Sequence, residues 1–280
     1  MRRPVLLADL WLGALALFIT AVLVAPAGAL LVNSIAAGGG PTLDVYLRLL
    51  ATRSYQQSIV TSVLLAATSA SLGTIAGALV ALSLHYGVGE RARGSAMAIA
   101  TVATNYGGVP LAFGFIVLLG SQGMLTLMLR SVAGEAVSVE LVSFWGLVTV
   151  YLYFLVPLCV LTLFPYLSAL RPEYREAASV HGASAFQFWR RVGGPILLPP
   201  LLASFVLQFA SALGSFTTPW ALVGGGSGLK LMTLEVAFLF GEVGYDLEAA
   251  DALAVLIILI SAGSLVTYHL LLRRAARWLG

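Results

Sequence analysis

Apolar runs of about 23 to 27 residues alternate with shorter polar segments along the whole chain. They fall at about residues 10–32, 58–84, 95–119, 141–165, 196–221 and 249–272. A helix rises about 1.5 Å per residue, so roughly 20 residues cross the roughly 30 Å hydrocarbon core of a bilayer. Each run is therefore read as a membrane-spanning helix. The chain then divides into a first helix with its outer segment (1–57), a core of five helices (58–272) with a polar loop at 166–195, and a short tail (273–280).

The polar segments differ in kind. Residues 42–50, TLDVYLRLL, follow Gly38-Gly39-Gly40-Pro41 and predict a short interfacial helix. Residues 120–140 form an outer loop with a short amphipathic piece. Residues 222–248 are glycine-rich and then mildly acidic. The start, Met1-Arg2-Arg3 before an apolar run and Ala25-Pro26-Ala27-Gly28-Ala29, mimics a signal peptide. The run is long for one, and its removal would move the C-terminus across the membrane, so a retained helix is expected.

The longest polar stretch, 171–199, predicts two short helices meeting at a glycine. Pro172 suits a first helical turn, where its missing N–H costs nothing, and Glu173 and Glu176 favour the positive helix end. Gly182 can end the helix with a left-handed backbone. Ser184 can cap a second helix that carries Phe186, Trp189, Arg190 and Arg191. Gly193, Gly194 and Pro195 are expected to stop that helix before the next apolar run.

Composition agrees with the pattern. Hydrophobic residues make up 60% of the 280 and charged residues only 10%, and mean hydropathy is +0.97. A soluble domain cannot bury that much apolar surface, so the fold class is an all-α polytopic membrane protein. The placement of charge sets the orientation. Of 15 basic residues only Arg48, Arg53, Arg130 and Lys230 fall on the outer side if the N-terminus is inside. The other eleven then lie in the cytoplasm, as the positive-inside rule requires, and both termini with them.

Several classes of chemistry are excluded. The basic residues form no contiguous patch interleaved with aromatics, so no nucleic-acid partner is expected. Cys159 is the single cysteine, which rules out an intramolecular disulfide. His85, His181 and His269 stand at span ends or in the polar loop, so no metal or cofactor is expected. Acids at 235, 242, 246, 248 and 251 read as solvated groups outside or at a membrane edge. Lys230 is the only lysine, and GGGSGLK lacks the ending of a phosphate-binding loop. The chain is therefore no ATPase and no enzyme.

Two spans carry candidate path residues. In span five, Ser204, Gln208, Ser211, Ser215 and Thr218 recur at steps of four and three. On one helix they would fall within an arc of roughly 80°. Such a stripe either seals helix against helix by hydrogen bonds or lines a substrate path. In span three, Pro110 cannot donate to the Tyr106 carbonyl, and Gly107 and Gly108 weaken the same turn beside Asn105. This predicts either a packing kink or a hinge at the path.

The 171–199 stretch resembles the cytoplasmic loop of permease subunits of binding-protein-dependent ABC importers. Glu176-Ala177-Ala178 is followed at the family's spacing by Gly182, then Val192 and Pro195; Gly194 stands where the family prefers leucine. The resemblance implies the six-helix type I (MetI-like) permease fold in a bacterial inner membrane. It further implies two ABC ATPase subunits, a second permease subunit, identical or homologous, and an extracytoplasmic solute-binding protein. Glu176, Ala177, Ala178, Gly182, Phe186, Trp189 and Arg190 would couple the chain to the ATPase. Residues 104–120 look similar to permeases of the spermidine/putrescine group, which makes a polyamine-like solute the first expectation; related members move iron, thiamine, phosphonates or sulfate. A stand-alone secondary transporter or a membrane enzyme would instead need an intramembrane acid, a repeat or an ionisable cluster, and none is evident.

Overall fold

The first apolar run forms α1 (Arg3–Ile35), whose side chains from Trp11 onward are almost all exposed. That suits a helix solvated by lipid. In the computed structural model the residues described are 3–36, 42–133, 140–167, 170–223, 229–241 and 246–276. Among them are thirteen α-helices, one π-helical turn and no strand.

The interfacial helix is α2 (Asp44–Ala51), which buries Val45 and Leu49 and exposes Leu43, Leu47 and Leu50. Only Thr52 separates it from α3 (Arg53–Gly87). The inner face of α3 repeats at three- and four-residue steps: Ser58, Ser62, Leu65, Ala66, Ser69, Ala70, Gly73, Gly77 and Ala81 are buried. Most of these are small, and that lets the backbone of α3 approach its neighbours closely.

The expected third span is interrupted. The chain forms α4 (Glu90–Asn105), breaks at 106–108, and resumes as α5 (Val109–Leu119) and α6 (Met124–Ala133). Pro110 sits in the first turn of α5, so it starts a helix instead of kinking one. The stretch long and apolar enough to cross is Val109–Val132, not 95–119. At 16 residues, with Glu90, Arg91 and Arg93 in its first turn, α4 is too short to cross by itself. The amphipathic piece expected in an outer loop is α6, and it falls within that crossing stretch instead.

Next come α7 (Phe144–Leu167), α8 (Pro172–Val180), α9 (Ala185–Phe188), the π turn (Trp189–Gly193) and α10 (Gly194–Leu213). They are followed by α11 (Thr217–Val223), α12 (Met232–Phe240) and α13 (Leu247–Ala276). α7 is the central helix, packed by α3, α4 and α10, and Tyr151, Leu155, Cys159 and Leu163 on it are fully enclosed. The main core gathers α7 with α3, α5, α12 and α13; a smaller one, Ala81, Val160, Leu163, Leu167, Leu170 and Leu197, closes the end nearest α8. Six stretches have the length and apolarity to cross a membrane, beginning at Trp11, Arg53, Val109, Phe144, Ala185 and Leu247.

Candidate functional site

The loop at 171–193 is set by local backbone chemistry. α8 ends in a Schellman turn: Ala183 N–H donates to Ala178 O at 3.0 Å and Gly182 N–H to Ser179 O at 2.9 Å. Gly182 takes φ +67°, the left-handed conformation that favours glycine. Ser184 caps α9, accepting from the Gln187 N–H at 3.2 Å, while Gln187 Oε1 accepts from the Ser184 N–H at 2.9 Å. This reciprocal capping box completes the expected cap. Glu176, Ala177 and Arg190 are exposed and Ala178 is half-buried.

The aromatic residues divide. Phe186 is 73% exposed, whereas Trp189 is 36% exposed and Phe188 only 7%. Residues two apart on a helix point to nearly opposite sides, so Phe188 faces the bundle when Phe186 faces away. Phe188 therefore anchors the loop, a role that the expectation built on Phe186 and Trp189 left unassigned. The expected stop at Gly193, Gly194 and Pro195 does not occur. The helix runs through them, because Gly194 N–H reaches back to Trp189 O in one wide turn and Pro195 follows where no donor is needed. Gly193 lies under the indole: a Cβ there would meet Trp189 Cε3 at 2.7 Å.

In the interior, the break at 106–108 meets a second break. α10 ends at Leu213, and Gly214 to Phe216 lead into α11. Pro219 in the third position of α11 leaves the Ser215 carbonyl without its helical donor, and Thr233 Oγ1 donates to it at 3.3 Å. The stripe expected on one helix is thus divided between two. Ser204 and Gln208 are buried on α10, Ser211 is exposed, Ser215 lies in the turn, and Thr218 is buried on α11. The Gly108 N–H donates to Thr218 Oγ1 at 3.0 Å, which ties the two breaks together. Gly108 itself has φ +71°.

Ser204 and Gln208 contact other helices of the same chain. Ser204 Oγ lies 2.7 Å from Thr162 Oγ1, and Gln208 Nε2 donates to Thr74 Oγ1 at 2.8 Å. Gln208 is 0% exposed, and its Oε1 has no hydrogen-bond partner among the described residues. Asn105 is exposed and donates to Thr101 O at 2.8 Å. Tyr106, beside Gly107, sets its ring 6.5 Å from Tyr153, which meets Phe115 at 6.1 Å. These rings border a cavity of about 200 Å³.

Of the outer acids, Asp246 and Glu248 stay accessible to solvent as expected, while Asp251 does not. Glu248 pairs with Arg48 at 3.0 Å, and Glu235 accepts from Ser54 at 3.4 Å. Asp251 is 7% exposed, because α1 and its neighbours cover the start of α13. Glu242 lies outside the described residues. Among the described residues no three His, Cys, Asp or Glu side chains gather as a metal site would require.

The family described as binding-protein-dependent transport system inner membrane component matches residues 73–279. The chain is 27% identical over 229 residues to the trehalose/maltose transport system permease protein MalF of Thermococcus litoralis, covering 77% of this chain and 75% of that one. It is also 27% identical over 229 residues to the spermidine/putrescine transport system permease protein PotC of Haemophilus influenzae, covering 82% and 81%. Its fold is similar to a chain of a bacterial ABC transporter involved in the import of the acidic polysaccharide alginate, with a TM-score of 0.71. That match is 17% identical and covers 99% of this chain and 96% of that one.

Proposed function

The chain belongs to the family of binding-protein-dependent transport system inner membrane components, and from that premise we propose that it forms half of an importer's path and docks a separate ATPase through residues 171–193. It is a permease subunit of the type I ABC importer class, and a multi-pass membrane protein. In the proposed assembly the loop and both termini face the cytoplasm of a bacterium, two ATPase subunits bind the loops of two permease chains, and an extracytoplasmic binding protein delivers the solute. The observation that carries this reading is Phe186, 73% exposed on a helix held rigidly by the Gly182 turn and the Ser184 cap. An apolar ring presented to water in that way suits a groove on a partner.

The proposed cycle is a two-state switch. ATP closes the ATPase pair, the docked α8–α9 elements follow, and the path changes the side to which it opens. Asn105, Tyr106 and Ser211, exposed on this chain, are proposed to line the path. Gly107, Gly108 and Pro110 form its hinge, together with Ser215 and Thr218 at the facing break. Ser204 and Gln208 are assigned to the seam between α10 and its neighbours.

For the solute we carry forward a small polyamine-like cation. The support is the Tyr106, Tyr153 and Phe115 cluster, whose ring faces attract cations, and the likeness to the spermidine/putrescine permease. A sugar is the second reading, favoured by the likeness to the trehalose/maltose permease, since the same rings can stack on sugars.

The test uses the intact complex purified through a tag on this chain. Phe186→Asp is expected to leave the chain inserted but to lower ATPase retention at least tenfold. Unchanged retention would sink the docking assignment. Uptake of labelled putrescine against labelled trehalose into cells holding the whole system separates the two solutes.

A further inference from the structure

A cavity of about 600 Å³ opens between α8 and the end of α3. His85 and Tyr86 line it from the last turn of α3, Arg171, Arg175 and Glu176 from the start of α8, and Phe188 from α9. Two crossing stretches end beside it: α3 stops at Gly87 and α7 at Leu167. The cavity therefore sits at the membrane–water boundary.

Its charge is unbalanced. Arg171, the residue just before α8, has a non-helical backbone, and Arg175 follows in the first turn of the helix; both line the cavity. Neither guanidinium makes a hydrogen bond or ion pair with the described residues. The contrast is Arg93, whose guanidinium is committed to the carbonyls of Leu84 and His85 at 3.3 and 3.0 Å and lies over the Phe164 ring. Glu176 supplies one carboxylate against two permanent cations, so the lining stays net positive. The remaining wall, with Tyr86 and Phe188, is apolar.

We propose that this cavity binds an anionic phosphate group carrying an apolar or glycerol portion. The phosphate sits between Arg171 and Arg175, which bind its oxygens through forked N–H donors. The apolar portion lies against Tyr86 and Phe188. A phospholipid headgroup and a soluble phosphate ester share this chemistry; basic pockets at the cytoplasmic ends of spans suit lipid headgroups. The proposal rests on the membrane reading of the chain and not on ATPase docking through the same helix.

The experiment is native mass spectrometry of the intact transporter in detergent, titrated with phosphatidylglycerol, with sn-glycerol 3-phosphate, or with diacylglycerol. The spectra count bound probe and retained ATPase subunits separately, so failure of docking and failure of this site are distinguishable. Phosphatidylglycerol is expected to bind at one per chain. Arg171→Gln with Arg175→Gln should weaken it roughly 30-fold, two interfacial cations being removed. Arg91→Gln with Arg273→Gln, which removes the same charge outside the cavity and outside the docking loop, should change it less than twofold. Displacement of the lipid by sn-glycerol 3-phosphate would mean that a soluble ester can occupy the site; no displacement would assign it to lipid. Equal loss in both double variants, unchanged binding in the first, or equally tight diacylglycerol binding would overturn the proposal. So would an ATPase side chain filling the cavity in a structure of the assembled complex.

Discussion

The Gly108 N–H donates to the Thr218 hydroxyl at 3.0 Å, across 110 positions of sequence. Each residue belongs to an interruption of a helix, one between α4 and α5 and the other between α10 and α11. A backbone donor freed at the first break finds its acceptor at the second, as a partly buried N–H must. The two breaks are thereby joined by a direct hydrogen bond.

Thr218→Val removes that acceptor and keeps the shape. An unpaired N–H at a part-buried site costs about 1–3 kcal/mol. Thr218→Ser keeps the oxygen and should stay near wild type. Thermal unfolding of the purified complex, followed with the uptake rate, is expected to rank wild type, Ser and then Val. Equal behaviour of Val and Ser would show that this bond does not hold the breaks together.

Gly73 and Gln208 should be energetically coupled. A Cβ on Gly73 would lie 2.4 Å from Gln208 Oε1 and 3.0 Å from Leu155 Cβ. Gly73→Ala is expected to destabilise by about 1–3 kcal/mol through overpacking, and by clearly less once Gln208→Ala has removed the carbonyl. Gln208→Leu alone loses a hydrogen bond of about 0.6 kcal/mol inside a membrane, so uptake should stay within about twofold. A double-mutant cycle on melting temperature reads the coupling. An additive cycle refutes the contact, and abolished uptake at full stability would return Gln208 to the path.

Gly77 tests the approach of α3 to α7. A Cβ there would meet Cys159 Cβ at 2.4 Å and Val156 O at 2.8 Å. A main-chain oxygen on a facing helix cannot swing aside. Gly77→Val is expected to abolish stable folding, read as loss of a monodisperse peak in size-exclusion chromatography. Gly263→Ala, with nothing within 4 Å, should be neutral or stabilising by up to about 1 kcal/mol.

Gly182 separates backbone geometry from packing. Its added Cβ meets no atom within 4 Å, so only the φ of +67° opposes a side chain. Valine there costs on the order of 1–2 kcal/mol, whereas asparagine tolerates this region. Gly182→Val is expected to keep the chain inserted and to lose most solute-stimulated ATP hydrolysis in reconstituted vesicles; Gly182→Asn should keep most of it. Full stimulation in the valine variant would remove the turn from the coupling mechanism.

The sequence by itself determined the number of apolar stretches, the membrane class and the turn and cap at Gly182 and Ser184, while the third stretch lies at 109–132 and not at 95–119. Each depends on neighbours in the chain: apolar length sets crossing, and the order of Gly182, Ser184 and Gln187 sets a turn and a cap whose hydrogen bonds span at most five residues. The stripe in span five was expected on one helix; Pro219, which leaves the Ser215 carbonyl without a helical donor, is the signal in the sequence that went unused. Tertiary structure decided the rest, because it joins groups far apart in sequence. It turned Phe188 inward and Phe186 outward, buried Asp251 beneath neighbouring helices, and packed Gln208 against Gly73 and Thr74. Glycine at 193 and 194 permits a stop or a continuous helix, and the chain continued because the Trp189 indole packs over Gly193 while one wide turn absorbs Pro195. Periodicity reports which side of a helix is polar; only the packing of the other helices decides whether that side meets a path, a seam or lipid.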